Sequence, residues 1–171
     1  MITLGRLMAV PVTVWLILND FMFIAFWLFV AAGVSDAVDG FLAKRWNQVT
    51  EFGAYLDPVA DKALLVSVFI TLGVQGYLES WLVILVVFRD VMIVGAVVLF
   101  QTMVRTLNMD PLFISKVNTL AQIILAALVL GAMGFEVDTG LLMEMMIGIV
   151  AVTTMVSGLS YLVVIMRRLD S

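Results

Sequence analysis

Four aspartates are placed where an apolar chain should not tolerate them. Asp36 and Asp39 lie in Ser35-Asp36-Ala37-Val38-Asp39-Gly40, and Asp57 and Asp61 lie in Asp57-Pro58-Val59-Ala60-Asp61-Lys62, both at the ends of or within long hydrophobic runs. An aspartate at the centre of a membrane helix costs ~2.5–3.5 kcal/mol, so four without partners would cost on the order of 10 kcal/mol. Only one cation, Lys62, is adjacent in sequence. A pair of divalent ions answers the charge better: Mg²⁺ or Mn²⁺ prefers hard oxygen donors and keeps coordination positions for phosphate oxygens and water. Four carboxylates of this kind make up a two-metal phosphoryl-transfer site. Gly40, Ala43, Gly53 and Ala54 are small residues beside the acids, and they let a bulky group approach the backbone. Helix packing in a membrane uses the same small residues, so they do not by themselves point to a ligand. Lys44 and Arg45 bring positive charge to the mouth of such a site.

The elements that must position these acids are helices in a bilayer. The 171 residues are 64% hydrophobic and 13% charged, with a mean hydropathy of +1.18, which excludes an ordinary soluble globule. Hydropathy predicts spans near 5–19, 21–43, 51–77, 81–104, 114–134 and 141–166, a six-helix all-α integral membrane bundle in one domain over 1–171. With the N-terminus inside, Arg6, Lys44, Arg45, Arg105, Lys116, Arg167 and Arg168 fall at cytoplasmic ends. The outer loops carry Asp20, Glu79, Glu136 and Asp138 and no Lys or Arg. That asymmetry predicts both termini in the cytoplasm and the acids on the cytoplasmic side. Residues 5–19 read as a retained helix rather than a cleaved leader, and no Arg- and Ser-rich transit peptide precedes them, which favours a bacterial plasma (inner) membrane.

Composition removes whole classes of chemistry. The chain has no His and no Cys, hence no imidazole base, phosphohistidine, thiol nucleophile, disulfide or His/Cys metal site. No basic surface for nucleic acid is evident. Within each acidic pair the spacing of three or four residues puts both carboxylates on one helix face. If residues 46–52 are loop, the two pairs converge at similar depth on antiparallel neighbours. Arg89 is harder to place: counted back from Arg105 along an upright helix, it falls beyond the bilayer midplane. A direct pair with the adjacent Asp90 is expected to be geometrically poor, because neighbouring residues on a helix diverge by about 100°.

The run from Asp36 to Asp61, DAVDGFLAKRWNQVTEFGAYLDPVAD, closely resembles the signature of CDP-alcohol phosphatidyltransferases, DxxDGxxAR followed by eight residues and GxxxDxxxD. All four Asp and both Gly are in register, and Lys44 stands where the family has Arg. The resemblance implies a six-helix membrane enzyme, commonly a homodimer, that uses two divalent ions to move a substituted phosphate from a CDP-linked donor to an alcohol, with release of CMP. Carried over by position, it implies that Asp36, Asp39, Asp57 and Asp61 ligate metal and that Asp61 is also the base on the acceptor hydroxyl. Asp36, Gly40, Ala43, Lys44 and Gly53 then fall at the nucleotide and donor site.

Two branches of the family are represented. DGFLA, RWNQ and FGAYLDPVADK resemble phosphatidylglycerophosphate synthases, whereas Phe88-Arg89-Asp90-Val91-Met92 and Phe113 through Thr119, FISKVNT, resemble mitochondrial-type cardiolipin synthases. The second pair of segments favours CDP-diacylglycerol as donor and phosphatidylglycerol as acceptor; glycerol-3-phosphate is the alternative. The phospholipase D-like class of cardiolipin synthase needs an HxK motif that a chain without His cannot build. Arg89, Lys116 and Asn118 are the candidates for holding the acceptor, with Thr119 and the start of the fifth span assisting Lys116. For Arg89 a structural ion pair is the competing reading. A cation or proton transporter is a reading from a different class, but it would string acids across the membrane rather than cluster them on one side; a non-catalytic scaffold would have no need of an intact Asp61.

Overall fold

The computed structural model describes residues 2–46, 51–103 and 113–169, with side chains over 8–35, 62–95 and 113–163. Every regular element among the described residues is an α-helix: α1 (Ile2–Leu18), α2 (Met22–Trp46), α3 (Glu51–Val74), α4 (Ser80–Met103), α5 (Phe113–Gly134) and α6 (Gly140–Leu169). The six helices coincide with the six apolar runs of the sequence, each end lying within three residues of its expected place. The chain forms two compact units, one from residues 1–78 and 126–139, the other from 79–125 and 140–171, so α5 divides its length between them.

In the first unit α1 packs against both α2 and α3. Three helices end on the same turn. After α1 the Phe21 amide donates to the Leu16 carbonyl (2.9 Å), after α3 Tyr77 donates to Leu72 (2.9 Å), and after α5 Val137 donates to Ala132 (3.0 Å). The residue before each donor, Asp20 (φ 61°), Gly76 (φ 79°) and Glu136 (φ 54°), takes the left-handed conformation that reverses the chain. The sequence-predicted third span reached residue 77; the helix stops at Val74 because Gly76 supplies this turn. The Gln75 side-chain amide then donates to the Ile17 carbonyl (3.3 Å), which also accepts from the Asp20 amide (3.1 Å), and the Tyr77 hydroxyl donates to Asp20 (3.3 Å). Residues 126–139 close against the start of α2. Phe135 meets Phe23 and Phe26 edge-on at 5.2 and 5.5 Å, and a Cβ on Gly134 would lie 2.8 Å from the Phe23 Cα. Ile17, Ala25, Val68, Phe69, Leu72, Val129 and Leu130 are fully buried.

In the second unit α4 packs against α6. Its exterior carries Ile84, Phe88, Val91, Leu120, Val152 and Leu159, while Arg89, Asp90, Ser115, Asn118, Gln122, Thr154 and Ser157 are buried. Apolar outside and polar inside suits hydrocarbon as the solvent rather than water. Among the described residues, Phe113–Gly134 and Gly140–Val163 are long and apolar enough to cross a bilayer.

Candidate active site

The acidic pairs belong to two helices of the first unit, Asp36 and Asp39 to α2 and Asp57 and Asp61 to α3. The start of α2 follows α1 after a short turn, and the end of α3 is hydrogen-bonded to the same end of α1 through Gln75 and Tyr77. So α2 leaves the end at which α3 arrives, and the two run antiparallel. Asp39 stands as far beyond Met22 as Asp57 stands before Val74, and Asp36 and Asp61 are matched in the same way to within a single position. At ~1.5 Å per residue, Asp39 and Asp57 share a level roughly 25 Å along, and Asp36 and Asp61 share one roughly 20 Å along. The loop expected over residues 46–52 is shorter than that, because α2 runs through Trp46 and α3 starts at Glu51; residues 47–50 lie outside the described residues. The side chains of Asp36, Asp39, Gly40, Ala43, Lys44, Gly53, Asp57 and Asp61 lie outside the described residues. Among the described residues no group of three or more acidic side chains gathers to hold a metal. The donor types that α2 and α3 carry, four aspartates, have the hard-oxygen chemistry that Mg²⁺ or Mn²⁺ takes. Lys62, next to Asp61, is half-buried.

The second unit holds the other candidates. Arg89 on α4 is 2% exposed, and its guanidinium spans three helices. One Nη2 donates to the Ser115 hydroxyl of α5 (2.7 Å) and to the Ser157 hydroxyl of α6, and Nη1 donates to Asp90 at 2.5 Å. The Arg89–Asp90 pair thus corrects the expectation drawn from helix geometry. The Cβ vectors diverge, but the arginine stem is long enough to fold the guanidinium back onto its neighbour, and burial of both groups leaves Asp90 strong reason to meet it. Ser115 is the third residue of α5, so Arg89 sits level with the first turn of that helix, while α4 runs on past it to Met103 for roughly four further turns. α5 thus starts well short of the end of α4.

Asn118 is fully buried, and its Oδ1 accepts from the Thr153 (2.8 Å) and Thr154 (2.9 Å) hydroxyls of α6. Lys116 lies two positions earlier and is exposed, on a different face of α5 from Asn118. Arg89 and Asn118 therefore belong to one buried polar seam and Lys116 does not. Ser115, Gln122, Thr153, Thr154 and Ser157 also belong to the seam and were not singled out from the sequence. The signal was there in the spacing: Ser115, Asn118 and Gln122 recur at three and four residues, the period of one helix face, and Thr154 and Ser157 are three apart.

Comparison with known proteins gives one family. The family model for CDP-alcohol phosphatidyltransferase matches residues 1–167. The chain is 36% identical to the chloroplastic CDP-diacylglycerol–glycerol-3-phosphate 3-phosphatidyltransferase 1 of Oryza sativa subsp. japonica, over 94% of this chain and 54% of the relative. It is 34% identical to the CMP-forming cardiolipin synthase of Homo sapiens, over 94% of this chain and 59% of that one. With the CDP-diacylglycerol–glycerol-3-phosphate 3-phosphatidyltransferase of Escherichia coli strain K12 it shares 37% identity over 74% of this chain and 72% of the relative. The match thus spans little more than half the length of the plant and human proteins.

Proposed function

The chain belongs to the CDP-alcohol phosphatidyltransferase family, and on that premise we propose that it transfers a phosphatidyl group from CDP-diacylglycerol to phosphatidylglycerol, forming cardiolipin and CMP. The observation that carries this reading is the matched register of Asp36 with Asp61 and Asp39 with Asp57 on antiparallel α2 and α3. Asp36, Asp39, Asp57 and Asp61 would hold two divalent ions, which when bound draw negative charge from the pyrophosphate and favour departure of CMP. Asp61 takes the proton from the acceptor hydroxyl as its oxygen bonds to the donor's β-phosphorus; the bond from that phosphorus to the oxygen bridging it to CMP breaks, and CMP keeps the electron pair. Gly40, Ala43 and Gly53 give the nucleotide close access to the backbone, and Lys44 supplies charge without the two-pronged geometry of an arginine.

Arg89 and Asn118 are assigned to the acceptor; Lys116, the third candidate from the sequence, lies exposed on another face of α5 and does not join them. The Nε of Arg89 and the Nδ2 of Asn118 are buried donors that the protein leaves unused among the described residues, which supports this assignment. We place the six helices as six spans of a bacterial inner membrane, with both termini and the acidic site on the cytoplasmic side, in a single domain that pairs as a homodimer. Glycerol-3-phosphate is the second reading for the acceptor, because relatives named for that activity match the chain as well as cardiolipin synthases do. The test is CMP release by the purified full chain in detergent, given CDP-diacylglycerol, Mg²⁺ and either acceptor separately. Product with phosphatidylglycerol is expected; product with glycerol-3-phosphate alone moves the chain to the second reading, and CMP from neither overturns the transferase reading.

A further inference from the structure

Five aromatic side chains crowd one end of the first unit without being buried in it. Trp15 on α1, Phe21 in the turn that follows, Phe23 and Trp27 on α2 and Phe135 after α5 are each about half exposed. Trp15 stacks on Phe21 with ring centroids 6.0 Å apart, Phe23 meets Trp27 edge-on at 6.5 Å, and Phe26 bridges Trp27 and Phe135 at 5.4 and 5.5 Å. The Tyr77 bond to Asp20 and the close approach of Gly134 to the Phe23 backbone bring the ends of α1, α3 and α5 and the start of α2 together. Trp15 lies roughly 5 Å inside the end of α1 at Leu18, and Trp27 roughly 8 Å inside the start of α2 at Met22. Water suits this rim poorly, because half-exposed rings side by side form an apolar patch. Hydrocarbon suits it no better. The indole N–H groups of Trp15 and Trp27 have no acceptor among the described residues and would find none in lipid tails. Asp20, exposed on the adjoining turn, would cost ~2.5–3.5 kcal/mol at bilayer depth. The layer of lipid glycerol and ester groups, ~5–8 Å deep on each side of the hydrocarbon core, takes the rings and offers carbonyl oxygens to the indoles. Its depth matches the distance from the turn to the two tryptophans.

We propose that Trp15, Phe21, Phe23, Trp27 and Phe135 form a collar that docks the first unit in the ester-carbonyl layer of the leaflet met by the start of α2, with Trp15 and Trp27 donating to lipid carbonyl oxygens. The collar fixes how deep α2 sits. The inference rests on the membrane placement proposed above and is independent of the acceptor.

The chain has four Trp and no Cys, so one position at a time can carry a unique probe. The full chain, with Trp15 or Trp27 kept and the other three Trp changed to Phe, is reconstituted in phosphatidylcholine vesicles brominated either beside the ester or near the end of the acyl chain. A third protein, with all four Trp changed to Phe and Val34→Trp added, reports the hydrocarbon. Val34 is exposed and seven residues past Trp27, hence ~10 Å farther along α2. Trp15 and Trp27 are expected to lose more emission to bromine beside the ester, and the Val34→Trp probe more to bromine near the chain end. Two results overturn the collar while a deep Val34→Trp probe keeps the membrane placement: stronger quenching of Trp15 and Trp27 by the deep bromine, or quenching by aqueous acrylamide and by neither lipid. Quenching by neither lipid nor acrylamide assigns the rim to a protein partner, such as a second copy, and overturns the collar too. A Val34→Trp probe that neither lipid quenches removes the membrane placement itself, and the collar with it. Where the Trp substitutions prevent folding, a spin label on Phe135→Cys with all four Trp kept reads the same depth by electron paramagnetic resonance; a label in water or at the bilayer centre overturns the proposal.

Discussion

Removing the Arg89 guanidinium while leaving Asp90 in place should be among the most damaging single changes in the second unit. In Arg89→Met the Asp90 carboxylate, 2% exposed, loses the cation 2.5 Å away. Removing one half of a buried ion pair costs about 3–5 kcal/mol. The Ser115 and Ser157 hydroxyls lose a donor too, adding about 1 kcal/mol apiece. The sum is a large part of the ~5–15 kcal/mol that holds a domain folded. Arg89→Met/Asp90→Leu removes the buried carboxylate as well and should recover most of the loss, giving a coupling of about 2–4 kcal/mol. Unfolding in mild detergent, by heat or by titrated denaturing detergent, measures the four corners of the cycle. Equal stability of Arg89→Met and wild type, or no recovery in the double variant, refutes the idea that the pair is a buried tie across α4, α5 and α6.

Gly134→Ala should destabilise by about 1–3 kcal/mol, because its Cβ meets the Phe23 backbone at 2.8 Å, whereas at Gly131 the nearest atom, 3.2 Å away, belongs to the Phe26 ring, which can swing aside; the unfolding midpoints of the two variants should separate accordingly. Glu136→Gly should stabilise by up to about 1 kcal/mol, since Glu136 holds a left-handed conformation that favours glycine, and a midpoint that fails to rise counts against it. Desolvation first, then the Asp20 charge and hydrogen bond, raise the Tyr77 pKa above its ordinary value. The tie between the two turns is therefore intact at neutral pH and weakens only as alkaline pH passes the raised value; phenol absorbance should show Tyr77 ionising earlier in Asp20→Asn. Asp61→Asn should lower CMP release by at least ~10²-fold in a protein that still unfolds cooperatively; retained turnover removes Asp61 as the base.

How much of this could be read in advance differs between the two units. The helices were legible because apolar runs bounded by Asn19-Asp20, Glu79-Ser80 and Phe135 through Gly140 leave few places for a helix to end. The level of the aspartates followed from helix boundaries, but their antiparallel register needed Gln75 and Tyr77, whose bonds to the end of α1 join residues more than 50 positions apart. Arg89 illustrates the opposite case. Its burial was expected, but rotation angles alone argued against Asp90 as its partner, because such angles describe Cβ directions and not the reach of a long side chain. Gln122 went unnoticed because one polar residue in an apolar helix is an ordinary event. Only its complete burial, with no hydrogen-bond partner among the described residues, sets it apart.

The proposed transfer depends above all on paired divalent ions held by Asp36, Asp39, Asp57 and Asp61, and Mn²⁺ titration of the detergent-purified chain followed by electron paramagnetic resonance counts them directly. Two ions per folded chain are expected, with fewer in Asp39→Asn and in Asp57→Asn. A folded wild-type chain that binds none, or variants that bind as many as the wild type, would contradict it.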